Sequence, residues 1–412
     1  MIRKLSAIRA ASGRRRFLMA SAAMLAGLAF SAAPSPAAAQ SDAPIRVGGL
    51  FSLTGPGGLI GESYVLGAKM AVDEINKAGG IAGRKVELVL GDTQTDPSIA
   101  VNEAKRLALQ EKVDMVVGPA VSQEALAMVP VLTEAKLFQI STAASLALTP
   151  QIGPYHFSLI PSAEGQGIRM IDYAVTVLKS KAPALLGDNG GQSKTGMESI
   201  RKRLAELKIE PAGVQEYPYH VDDMTPQLLS LRKKKPDTLV FFTSSPEDLA
   251  KLLKTLQDID WNIKVVGSNS VGNYSPTIGK SLDDEAFTNL LGTQYPGLTH
   301  CSGDPVGSSE YAQFVQRLKA YDPKMSAKLP PATVSGAYIP LYIMKAAVEA
   351  TGSTEGPKLA AWLEENSGSV KNMYAKLSAS KSSHFLFGPE SLGVIETPNR
   401  VREDGLQKRA GC

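Results

Sequence analysis

The sequence predicts an α/β protein of two lobes, each built on a parallel central sheet. Three observations carry this. Short apolar strands alternate with amphipathic helices; the alternation restarts after a break near Pro161; and 412 residues exceed one ordinary domain but suffice for two cores.

The elements follow in order. Ile45–Phe51 is a buried strand, and Thr54-Gly55-Pro56-Gly57-Gly58 turns the chain. A helix then places Val65, Ala68, Val72 and Ile75 on one face and stops at Gly79-Gly80. Lys85–Leu90 is the next strand, and Pro97 opens a helix with Val101, Ala104 and Ala108 inward. Strand Val113–Val117, a helix to about Glu134 and strand Leu137–Ile140 complete the first run. The second run has a helix around Ile168–Leu178, strand Ala182–Leu186, helix Met197–Leu207 and strand Gly213–Tyr217. Helix Thr225–Lys233, strand Thr238–Phe242, a helix carrying Leu249, Leu252, Leu253 and Leu256, and strand Ile263–Val266 follow. Two long amphipathic helices come next, one with Tyr311, Phe314, Val315 and Leu318, the other with Ala337, Leu341, Met344 and Val348. The tail from Lys371 shows no regular period.

The first forty residues read as an address. Arg3, Lys4, Arg9 and Arg14-Arg15-Arg16 precede an uncharged apolar run, Phe17–Phe30, and then Ala37-Ala38-Ala39. This is the order of a secretory signal peptide cleaved after Ala39, and the run is shorter than the roughly 20 residues of a membrane span. Arg14-Arg15-Arg16-Phe17-Leu18 is similar to a twin-arginine signal; the plainer reading is a general secretory signal with a basic head. The formal charge of +4 rests on that head, and without its six basic residues the balance turns slightly negative. Composition therefore points away from nucleic acid and from an anionic membrane surface. The four histidines are at least 64 residues apart, so no local metal-ligand spacing exists. Neither a metal nor a cofactor is expected.

Ligands of open α/β sheets collect beyond the carboxyl ends of the strands, where helices begin. Four junctions there are rich in small hydroxyl residues: Ser52–Gly61, Gly118–Ser122, Ser141–Ser145 and Thr243-Ser244-Ser245. Each could be an ordinary helix cap; their recurrence at one edge points to a binding site. Catalytic motifs do not fit. Gly191–Gly196 is one residue too long for a nucleophile elbow, and Gly57–Gly61 is neither a phosphate loop nor a dinucleotide fingerprint. A binding protein, not an enzyme, is expected.

The chain resembles the type I periplasmic binding proteins of branched-chain amino-acid ABC transporters, the Leu/Ile/Val-binding type. The residues that carry this are Ile45-Arg46-Val47-Gly48-Gly49 with Thr54-Gly55-Pro56, Gly67-Ala68, Asp73-Glu74-Ile75-Asn76, Gly79-Gly80-Ile81, Asp92 with Asp96-Pro97, Val117-Gly118-Pro119 and Ile140–Ala143. The resemblance implies two Rossmann-like lobes joined by a three-segment hinge, closing on a ligand in the cleft. It implies that Ser122, Ala143 and Ser145 hold a ligand carboxylate and that Ile60 covers the ligand where the family has an aromatic. Departures fall at the other end. Asn269 stands at the family's ammonium-pairing acid, Ser244 at one family tyrosine, and Ser193 or Gln192 at another. An amide is a poor partner for a buried ammonium. The expected ligand is therefore a carboxylate-bearing organic acid without an α-amino group, with amino acids, amides and urea-like solutes as alternatives.

The family disulfide, where present, would bridge the positions of Thr95 and Val121, and neither is Cys here. Cys301 and Cys412 are the two cysteines, and in an oxidising compartment an even pair bonds or stays as two thiols. The resemblance sets the expected domains. Residues 1–39 are the signal, 41–161 with 297–370 one lobe, and 162–296 with 371–412 the other. It also sets the role: a monomeric periplasmic receptor delivering its solute to separate ABC permease subunits, or a sensing module for a membrane receptor.

Overall fold

A computed structural model of the chain describes residues 43–412. The expected signal, its twin-arginine motif and its cleavage site lie outside the described residues.

The first sheet contains β1 (Ile45–Phe51), β2 (Val86–Asp92), β3 (Met115–Val117), β4 (Phe138–Ser141) and β5 (His156–Ser158). All run parallel, in the order β2-β1-β3-β4-β5. Helices α1 (Gly58–Lys77), α2 (Pro97–Lys105) and α3 (Ser122–Glu134) connect them. The second lobe opens with α4 (Ala163–Thr176) and continues through β6 (Pro183–Asp188), α5 (Gly191–Leu207), β7 (Gly213–Tyr217), α6 (Thr225–Arg232) and β8 (Thr238–Phe242). It ends with α7 (Pro246–Asp258), β9 (Lys264–Gly267), α8 (Asn269–Ile278) and β10 (Leu290–Gln294). After β11 (Thr299–His300) come α9 (Glu310–Tyr321), α10 (Pro323–Lys328), α11 (Pro331–Thr351) and α12 (Gly356–Asn366). β12 (Gly393–Glu396) then joins the second sheet antiparallel to β10, giving β12-β10-β9-β8-β6-β7, and β13 (Gln407–Lys408) pairs with β11.

Two-sided burial explains the apolar strands. Leu239 and Phe241 of β8 pack with Leu249 and Leu252 of α7, while Val240 and Phe242 pack on the other face with Ile171 of α4 and Ile200 of α5. Each such side chain contributes roughly 1.5–3 kcal/mol through its removal from water. In the first lobe α1 lies so close to α11 that a Cβ on Gly67 would sit 2.0 Å from the Val334 carbonyl oxygen. Caps set several helix starts: the side chain of Asp96 accepts from the Ser98 and Ile99 amides, and that of Ser162 from Gly165. The Ser162 cap starts α4 five residues before the expected Ile168.

The chain passes between the sheets three times: after β5, after β10, and between Phe387 and β12. At these crossings the Tyr295 ring stacks on Tyr374, centroids 4.4 Å apart, and packs against Phe387 at 4.9 Å. This corrects the expectation that the whole tail from 371 belongs to the second lobe. Met373, Tyr374, Leu377, Leu386 and Phe387 are buried in the core that holds Val47, Val117 and Ile140 of the first sheet, and only β12 returns to the second. Cys301 and Cys412 form a disulfide, a sequence separation of 111. Beside it the Arg409 guanidinium donates to Thr299 Oγ1 at 3.0 and 2.8 Å and to the Pro296 carbonyl at 3.1 Å. Among the described residues no helix is long and apolar enough to cross a membrane.

Candidate functional site

The carboxyl ends of both sheets open on one cavity of about 540 Å3. The first lobe lines it with the start of α1, with Ala120–Gln123 after β3 and with Thr142 after β4; the second lobe adds Gly190–Gln192, Ser244 and the first turns of α7 and α8. α1, α3, α5 and α8 all begin there, and at none of them does the capping residue supply a side-chain acceptor. Gln166 Oε1 takes the Asn269 N–H at 3.4 Å, and the Gly58 and Ile60 N–H groups of α1 bond backbone carbonyls; the remaining leading N–H groups and the helix dipoles make the wall partly positive. Among the described residues no lysine or arginine lines the cavity. The one lining carboxylate among the described residues, Glu247, is mostly in solvent and sits 3.8 Å from His220 Nδ1.

Of the residues singled out from sequence, Ile60, Ser122, Ser244 and Asn269 line the cavity; Ala143, Ser145 and Ser193 do not. The Ala143 peptide is spent on the interior. Its N–H donates to Ser141 Oγ at 3.1 Å and its carbonyl accepts from Ser158 Oγ at 2.6 Å. Ser145 Oγ accepts from the Ala147 amide at 3.3 Å, closing its own turn. Ser193 is fully buried and donates to Asp188 Oδ2 at 2.6 Å, so its neighbour Gln192 faces the ligand space instead. Behind the first-lobe wall, Ser141 Oγ also pairs with His156 Nε2 at 2.7 Å, and burial holds His156 down at about 3.

Sequence reading missed the aromatic part of the lining, the tyrosines Tyr64, Tyr219, Tyr274, Tyr295 and Tyr374. The Tyr64 hydroxyl bonds the Thr142 hydroxyl, and burial pushes it up to about 12, so the phenol stays neutral at any working pH. Burial likewise raises Tyr274, Tyr295 and Tyr374. A signal did exist: Tyr64 lies four residues after Ile60 on one helix face. Behind the second-lobe wall, burial pushes Asp248 up to about 6, and Asp188 is raised by the same cause.

Asn269 does not meet the cavity alone. Its Nδ2 donates to the Thr293 carbonyl at 3.3 Å, and its Oδ1 accepts from Asn273 Nδ2 at 3.0 Å. Gln294 Nε2 donates to Asn273 Oδ1 at 3.0 Å and to Gln407 Oε1 at 2.9 Å. A chain of amides thus runs from the cavity to β13.

A family described as periplasmic binding protein matches residues 44–391. Among relatives, a Leu/Ile/Val-binding protein homolog of Brucella melitensis is 27% identical over 81% of this chain and 86% of its own. An amino acid binding protein of Pseudomonas aeruginosa is 25% identical over 80% and 84%. Among solved structures, a branched-chain amino acid transporter substrate binding protein of Streptococcus pneumoniae, in complex with isoleucine, superposes with a TM-score of 0.72 at 22% identity, covering 88% of this chain and 97% of its own. A solute binding protein of an ABC transporter from Rhodopseudomonas palustris, in complex with 3,4-dihydroxybenzoic acid, superposes equally well at 0.72, with 20% identity and coverages of 86% and 93%.

Proposed function

The chain belongs to the periplasmic binding protein family, and from that premise we propose that it captures a small carboxylate-bearing organic acid between its lobes and delivers it to an ABC permease. One observation carries the ligand class. Four helix N-termini, none capped by its own N-cap side chain and only that of α8 met by another side chain, Gln166, meet at a cavity that among the described residues is lined by five tyrosines and no lysine or arginine. Such a wall attracts a single anionic group through N–H donors and packs an apolar or aromatic body beside it. Among the described residues an α-ammonium finds no buried carboxylate on the cavity surface, and the solved neighbour holding 3,4-dihydroxybenzoic acid supports an aromatic acid. Ser122, with the free N–H groups of α3, holds the carboxylate, and Ile60 and the tyrosines flank the body. In this reading the first forty residues export the chain, cleavage follows Ala39, and the monomer works in the periplasm.

The second reading is an amino acid, which the curated relatives' names favour. A thermal-shift screen of benzoate, hydroxybenzoates, aliphatic acids, leucine and phenylalanine separates the two. A ligand at 100 times its dissociation constant adds about 2.7 kcal/mol. Stabilisation by the acids and not by the amino acids is expected; leucine or phenylalanine as the strongest stabiliser overturns the proposal.

A further inference from the structure

We propose that the carboxy-terminal tail takes part in ligand selection: Gln407, through Gln294, fixes the Asn273 amide so that it offers the ligand an N–H donor. The inference rests on the organic-acid reading and adds to it the group the ligand presents to α8.

The polarity of the amide chain is forced from its far end. Gln407 Nε2 donates both hydrogens to backbone carbonyls, those of Gly272 and Pro398, each at 2.7 Å. Carbonyls only accept, so Gln407 must turn its Oε1 toward Gln294, which fills it at 2.9 Å. Gln294 in turn uses its Oε1 to accept from the Tyr295 amide at 3.0 Å, leaving its second N–H for Asn273 Oδ1. Asn273 is thereby turned with its NH2 away from Gln294. One hydrogen goes to Asn269 Oδ1, and among the described residues no acceptor takes the other. Asn273 lines the cavity, and the proposal assigns that hydrogen to the ligand.

Burial makes the arrangement stiff. Gln294 is 0% exposed and Gln407 4%. Reversing either amide would set N–H against N–H or oxygen against carbonyl in a site that water cannot repair. The group that fits this wall is an acceptor oxygen, such as a phenol or hydroxyl on the acid. An ammonium would meet a donor where it needs an acceptor. The tail itself touches no ligand; Gln407 and Gln294 are positioning residues.

The test uses the mature protein and Gln407→Leu, with Gln294→Met breaking the same link from β10 in case the first variant does not fold. Two readouts are taken. Calorimetric titration compares 4-hydroxybenzoate with benzoate, and the Asn273 side-chain amide signals are followed by 15N NMR without ligand. Expected are a shift of the Asn273 signals and a loss of about tenfold in the preference for the hydroxylated acid, the scale of one hydrogen bond. A purely structural role would weaken both acids alike, and that result, or unmoved Asn273 signals, overturns the proposal. If the wild type binds neither acid while the signals still shift, the tail-to-Asn273 relay holds and the organic-acid reading has failed.

Discussion

Ser122 Oγ, in the first turn of α3, accepts a hydrogen bond from the Ala144 amide at 3.1 Å. One hydroxyl thus knits together the loops that leave β3 and β4. Ser122 also lines the cavity, and among the described residues no acceptor takes its own proton.

Ser122→Ala removes that ligand donor and leaves the Ala144 N–H without its acceptor. Ligand affinity should fall about tenfold or more, with a stability loss of about 1–3 kcal/mol. Ser145→Ala is the contrast, because the Ser145 hydroxyl serves only its own turn. Its affinity should match the wild type within about twofold. Titration calorimetry and thermal melts of both variants decide; equal losses at the two serines would return Ser145 to the site.

Strands with apolar runs were legible because two-sided burial demands such runs. β8 reads directly from Thr238–Phe242, whereas β10 was missed because Thr293 and Gln294 are polar yet fully buried. No local pattern announces a buried glutamine whose partners lie 21 and 113 residues away. α8 was hidden for a related reason. Asn269, Ser270, Gly272, Asn273 and Pro276 look like a loop, and bonds from Ser268 to the Thr243 carbonyl just after β8 and from Asn269 to the Thr293 carbonyl of β10 hold the start of this helix. At the cavity, the junctions were found but not the helix phase. That is why Ser193 and Gln192 stayed alternatives in the sequence, of which Gln192 faces in.

Gly67→Ala should separate α1 from α11. The added methyl carbon would stand 2.0 Å from the Val334 carbonyl and 3.3 Å from the Tyr338 amide, both backbone atoms that cannot swing away. A loss of about 2–4 kcal/mol is expected. Urea unfolding measures it; a midpoint within error of the wild type would mean that the two helices part freely.

Acid should unfold the protein partly through His156. Burial is the larger cause of its fall to about 3, and the neighbouring His384 adds to it. An unfolded histidine titrates near 6.5, so between those values the unfolded chain binds more protons. The stabilisation is complete above about pH 6.5 and is lost as pH falls toward 3. His156→Gln, which can still bond Ser141, should melt lower than wild type at pH 7 but with a flatter slope from pH 6.5 down to 4. Parallel melting curves across that range would show that other groups drive the acid loss.

The Cys301–Cys412 bridge closes a loop of 111 residues, and chain-entropy arguments assign such a loop about 4–5 kcal/mol. The folded tail has other anchors: Arg409 on Thr299 and Pro296, the β11–β13 pairing, and Gln407 on Gly272 and Pro398. Removing the bridge should therefore leave the native tail in place and act mainly by freeing the unfolded chain. Guanidinium unfolding with and without reductant measures this, with a Cys301→Ser, Cys412→Ser double variant as control. The reduced protein and the double variant should share one lowered midpoint, and the variant should ignore reductant. Ligand affinity should stay near that of the oxidised wild type, because Gln407 keeps its backbone partners. An unchanged midpoint on reduction would show that the loop is already constrained in the unfolded state.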